Sequence, residues 1–60
     1  MKKLIADVNV GDTIRTYHGN YGRVDWLVRL IVWDSSSSLV VVNDRLMFDK
    51  TEWVEVVEND

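Results

Sequence analysis

Val24-Asp25-Trp26-Leu27-Val28-Arg29-Leu30-Ile31-Val32-Trp33 is the stretch that decides the fold class. Val24, Trp26, Val28, Leu30 and Val32 recur at every second position, in phase with the two-residue repeat of a β-strand. No helix cap stands before the run, and its β-branched residues suit a pleated surface better than a helix. One long strand is therefore expected. It turns these five side chains to the core and Leu27, Ile31 and Trp33 to the opposite side.

Upstream, Gly19-Asn20-Tyr21-Gly22 reads as a turn whose glycines are available for positive φ, and Thr13 to His18 as the strand before it. Asp7 to Ile14 is a lead-in with a Gly11-Asp12 turn signal. Downstream, Asp34-Ser35-Ser36-Ser37-Ser38 holds every serine of the chain and reads as a loop. Leu39 to Val42 is a short strand, Asn43-Asp44 a turn, and Arg45 to Phe48 the returning strand. Asp49-Lys50-Thr51-Glu52 has the spacing of a capping box, which predicts one 3₁₀ turn before the closing strand, Trp53 to Val57. Glu58-Asn59-Asp60 is a polar tail.

The rest of the composition agrees. The 60 residues include 11 Val and 3 Ile against one Ala, with no Pro and no Cys. A chain this short supports one small domain, residues 1–60, held by packing without disulfide or thiolate zinc. The lack of Cys fits a reducing compartment. No apolar run approaches a membrane span, and Met1 to Ala6 is too short for a secretory signal, so a cytoplasmic location is expected. Met1 and the plain tail lead us to expect a complete protein. Charge is uneven: residues 1–30 carry a net +2 and residues 31–60 a net −5, for −3 overall.

The order of elements, with a 3₁₀ turn before the closing strand, resembles the SH3-like small β-barrel from about residue 8 to 58. Val10-Gly11-Asp12-Thr13-Ile14-Arg15-Thr16-Tyr17, followed by Gly19 and Gly22-Arg23-Val24, looks like the opening of KOW-type barrels. The resemblance implies an all-β, SH3-like barrel of about five strands. Its KOW side implies nucleic-acid or ribosome binding. The aromatic stretch that lines the peptide groove of signalling SH3 domains has no match, and Tyr17, Tyr21 and Trp53 are its loose substitute.

Catalysis has little to work with. His18 is the sole His and reads as a loop-edge polar residue; Glu52 and Glu55 are a pair that ten acids produce by chance. No metal-ligand spacing occurs, so no enzyme activity, cofactor or metal is expected. Gly19 to Arg23 lacks the Gly-Lys-Ser/Thr of a phosphate loop.

The first functional reading is a non-enzymatic protein-binding module, a small regulator or inhibitor that occupies a surface of a larger partner. A small barrel cannot bury both faces of the long strand. Leu27, Ile31, Trp33 and Trp53 are therefore the expected contact patch, with Arg29, Glu52 and Glu55 as its polar rim. A bulge near Arg29 is the competing account, because it would switch which residues face inward. Asp44, Asp49, Glu52, Glu55 and Glu58 suggest a negative rim that suits a basic partner surface. By analogy alone, small acidic proteins of this kind occur among phage-encoded modulators of host machinery. The alternative reading is a KOW-like nucleic-acid binder using Arg15, Tyr17, Tyr21 and Arg23, against an acidic pI near 4.9. A self-associating subunit or homodimer is the third.

Overall fold

The computed structural model describes residues 1–58; Asn59 and Asp60 of the expected tail lie outside that range. Seven strands form: β1 (Lys2–Leu4), β2 (Thr13–His18), β3 (Gly22–Leu27), β4 (Ile31–Trp33), β5 (Leu39–Val42), β6 (Leu46–Asp49) and β7 (Trp53–Val57). They make two antiparallel sheets, one in the order β1-β7-β2-β3 and one in the order β4-β5-β6. The all-β class and the ranges of β2, β5 and β7 are those read from the sequence. The expected single barrel of about five strands is replaced by two sheets, and no ladder closes them into a barrel among the described residues. No helix there is long and apolar enough to cross a membrane.

The extra strands have two origins. Lys2–Leu4 is three residues with two lysines, too short to show a period, yet it pairs with β7 from Lys2–Glu55 to Leu4–Trp53. The other origin is a break in the long strand at Val28-Arg29-Leu30. Val28 leaves the ladder to pair with the Gly11-Asp12 turn: its N–H donates to the Asp12 carbonyl at 2.8 Å, and its carbonyl accepts from Gly11 at 2.9 Å. Arg29 and Leu30 then both donate their N–H groups to one acceptor, Oδ1 of Asn43, at 2.8 and 3.1 Å. Successive N–H groups of a regular strand point to opposite sides, so two that share an acceptor mark a bulge-like kink.

That kink shifts the phase by one residue. Before it, Val28 is buried and Trp26 packs on the core; after it, Ile31 packs on the core while Leu30 and Val32 are 43% and 44% exposed. The continuous inward set from Val24 to Val32 is corrected accordingly. Leu30 and Val32 face solvent, and the bulge account holds at Arg29.

The helical turn is also misplaced in the sequence reading. The Asp49-Thr51 cap chemistry closes a turn: Oδ1 of Asp49 accepts from the Thr51 N–H at 3.0 Å and its hydroxyl at 2.8 Å, and Glu52 N–H bonds the Asp49 carbonyl at 2.9 Å. The Glu52 carbonyl is taken by the Ile5 N–H at 2.9 Å, and Trp53 begins β7 at once, so the turn does not propagate into a helix. The only helix among the described residues is the 3₁₀ turn Ile5–Asp7 near the N-terminus, which has no side-chain cap to announce it.

Between the sheets lies one core of Ile5, Val8, Ile14, Val28, Val40, Val42, Phe48, Val54 and Val56. Cross-strand register explains it, since Ile14 is opposite both Trp26 and Val56, and Val40 is opposite Phe48. Asn43 and Asp44 adopt φ of 55° and 57°, the left-handed pair that a tight hairpin turn between β5 and β6 needs. Asn43 also donates its Nδ2 to the Leu27 carbonyl at 2.9 Å. Replacing Asn43 by Ala loses all three side-chain bonds and strains the turn, and is expected to cost about 2 kcal/mol in urea unfolding. Asn43→Asp keeps the acceptor and is expected to cost about half as much. An Asn43→Ala variant as stable as the wild type would show that the kink holds without this side chain.

Candidate functional site

The outer face of the four-stranded sheet carries a row of alternating charge. Asp25 on β3, Arg15 on β2, Glu55 on β7 and Lys2 on β1 are successive cross-strand neighbours. Arg15 Nε lies 2.9 Å from Asp25 Oδ1, with Nη2 at 3.4 Å from Oδ2, and Glu55 lies 3.3 Å from the Met1 amine. Like charges never adjoin in the row, so it stabilises the sheet without a large field of either sign.

Beside this row is an open groove of about 340 Å³, with Lys2, Arg15, Tyr17, Glu52, Trp53 and Glu55 around it. Tyr17 is 72% exposed and Trp53 59% exposed. The structure thus joins residues from both candidate sets: Glu52, Trp53 and Glu55 from the protein-binding set, Arg15 and Tyr17 from the nucleic-acid set. Trp53 stands on the outer face because its neighbours Val54 and Val56 are committed to the core.

The remaining candidates are spread out. Leu27 shares the outer face of the four-stranded sheet, opposite Thr13. With Arg29 it borders a second open groove, of about 440 Å³, shared with Trp26, Leu30, Asn43 and Arg45. Ile31 packs on the core, and Trp33, although 45% exposed, is paired with the buried Val40 and so stands on the inner side of its sheet. Leu27, Ile31, Trp33 and Trp53 therefore do not form one patch. Arg23 is opposite Tyr17, and Tyr21 lies in the β2–β3 turn, where Gly22 takes φ 71°. His18 ends β2; its Nε2 is 3.0 Å from the Thr16 hydroxyl, which in turn accepts from Trp26 Nε1 at 2.8 Å.

A surface that the sequence reading missed is the outer face of the three-stranded sheet. Val32, Val41 and Met47 form one cross-strand row there, with Leu30 and Leu39 at its sides. The available signal was Leu39 to Val42, apolar on both faces, together with Met47 between the inward Leu46 and Phe48. Among the described residues no cluster of His, Asp and Glu is placed to hold a metal ion. In comparisons with known proteins, no family, no curated sequence and no solved structure matches the chain.

Three carboxylates are held below their ordinary range by hydrogen bonds that favour the charged form: Asp25 by Arg15, Asp34 by the Ser36 hydroxyl and N–H, and Asp49 by the Thr51 N–H and hydroxyl. With the folded pKa depressed, each contact contributes fully above the unfolded value and is lost as pH falls through the folded one. The thermal midpoint is expected to rise from pH 2 to about pH 5 and then level off. Asp25→Asn is expected to flatten part of that rise; an unchanged profile would show that the Arg15 pair adds nothing in solution.

Proposed function

We propose that the chain is an SH3-like, non-enzymatic protein-binding module, a small cytoplasmic regulator or inhibitor that docks on a larger protein through the Tyr17–Trp53 groove. Several features support the fold part of this reading. β2 lies between β3 and the closing strand β7, the kinked β3–β4 run passes from one sheet to the other, and β5 and β6 follow as a meander. This is the element order of an SH3-like barrel left open, with β1 added at the edge of β7.

The observation that carries the functional part is the pair of exposed aromatic rings flanking one groove. Trp and Tyr give large contact area at little entropic cost and are frequent anchors of protein interfaces. The groove's charges favour a protein over a nucleic acid. Glu52 and Glu55 repel phosphate, and Arg15, the cation closest to Tyr17 in sequence, is already bound to Asp25. An acidic edge of this kind suits a partner with a basic rim around an apolar recess. Arg23 beside Tyr17, with Tyr21 in the adjoining turn, is the surface a KOW-like nucleic-acid binder would use instead.

A tagged pull-down from bacterial lysate, run with nuclease at moderate salt, tests the reading when wild type and Trp53→Ala are compared. The wild type is expected to retain one protein in stoichiometric amount and Trp53→Ala to lose it. The thermal midpoint of the variant should stay within about 4 °C, since Trp53 is exposed. Retention by Trp53→Ala, or recovery that vanishes with nuclease, would contradict the proposal.

A further inference from the structure

Val32, Val41 and Met47 stand in line across β4, β5 and β6 on the side away from the core, because Val41 is directly opposite both of the others. Leu30 precedes Val32 by two residues, and Leu39 precedes Val41 by two, so the patch extends to both sides of the row. Met47 is 66% exposed and Leu30, Val32 and Leu39 about 40% each. No charge interrupts the row. A contiguous apolar face on so small a molecule is the usual mark of a contact surface.

The two ends of this patch carry opposite sign. At the end of the Asn43-Asp44 turn stand Arg29 and Arg45 with Asp44; at the other end stand Asp34 and Asp49 with Lys50, whose Nζ is bonded to the Asp34 carbonyl at 3.0 Å. Neither Arg29 nor Arg45 has an ion-pair partner among the described residues. Asp34 and Asp49 each use only Oδ1 in their own loops, which leaves the second carboxylate oxygen for another donor.

We propose that this face is the contact between two copies of the chain, packed sheet on sheet about a twofold axis along the Val32–Val41–Met47 row. Such an axis reverses strand direction but keeps the row in register. Each residue of the row meets its own counterpart, and the arginine end of one copy lies over the aspartate end of the other. A twofold axis along the strands would instead stack arginine on arginine. The pattern is its own complement under one operation only, and that singles out a second copy rather than an unrelated partner. Three short strands about 4.8 Å apart cover far less than the roughly 800 Å² per partner of a standard stable interface. The dimer is accordingly weak, with a dissociation constant on the order of 0.1 mM. The Tyr17–Trp53 groove belongs to the other sheet's outer face, so dimerisation leaves both grooves open.

Sedimentation equilibrium from about 10 μM to 1 mM, at low and high salt, tests this. The wild type should rise from the mass of one copy towards two and stop there. Met47→Lys should remain a single copy throughout, with a thermal midpoint at low concentration like that of the wild type. Val32→Thr, which keeps the branched shape that strands favour, serves as the second variant should Met47→Lys fold poorly, and should also weaken association. Arg45→Glu should weaken it about fivefold, and high salt should remove most of that difference. Single-copy mass up to 1 mM, growth beyond two copies, or association indifferent to Met47→Lys and Val32→Thr would overturn the proposal. Association indifferent to Arg45→Glu would overturn the axis.

Discussion

Asn43 holds the place where one strand is made to serve two sheets. A continuous strand from Gly22 to Trp33 could not leave the sheet of β2 and join that of β5 without abandoning ladder partners near its middle. Its side chain takes the N–H groups of Arg29 and Leu30 and gives its own to the Leu27 carbonyl, while its backbone N–H reaches the Leu30 carbonyl at 2.9 Å. Unsatisfied backbone groups there would each cost a large part of a small domain's margin. The same residue sits at φ 55°, a conformation that Asn tolerates better than most side chains, so the β5–β6 turn and the β3–β4 kink are one device.

The two outer faces follow from that device. The kink shifts the phase by one residue, so Ile31 joins the core and Val32 faces solvent. Without the shift, Leu27, Ile31 and Trp33 would continue one apolar stripe down a single strand. With it, the solvent side of the three-stranded sheet is apolar, whereas that of the four-stranded sheet carries the Asp25–Arg15–Glu55–Lys2 row and the Tyr17–Trp53 groove. A molecule with one small core thus has two chemically distinct surfaces, one mixed and aromatic, the other apolar with oppositely charged ends.

Much of this was legible from residues alone. Period two in Val24 to Val28, the lone serine cluster, and the runs at Thr13, Leu39 and Trp53 report local preferences that the fold respects. The phase shift was legible only as an alternative, because periodicity within Val24 to Trp33 continues unbroken and its interruption is imposed by Asn43, fourteen residues beyond Arg29. β1 escaped notice because Lys2-Lys3-Leu4 is a strand only by virtue of the edge that β7 offers it. The Asp49 cap was read correctly as a turn-former and wrongly as a helix start, since the outcome depends on Glu52 bonding to Ile5. For the candidate site, Trp53 was legible as an unburied aromatic, but its neighbourhood with Tyr17 depends on the pairing of β2 with β7.

The central claim is the change of phase at Arg29, because both surfaces depend on it. Nuclear Overhauser contacts between side-chain methyl groups in solution test it most directly. The account predicts contacts from the Ile31 methyls to Val42 and its core neighbours, with the Val32 methyls touching only Val41 and other outer-face groups. Val32 methyls in contact with Val28 or Ile14, and Ile31 facing solvent, would contradict it.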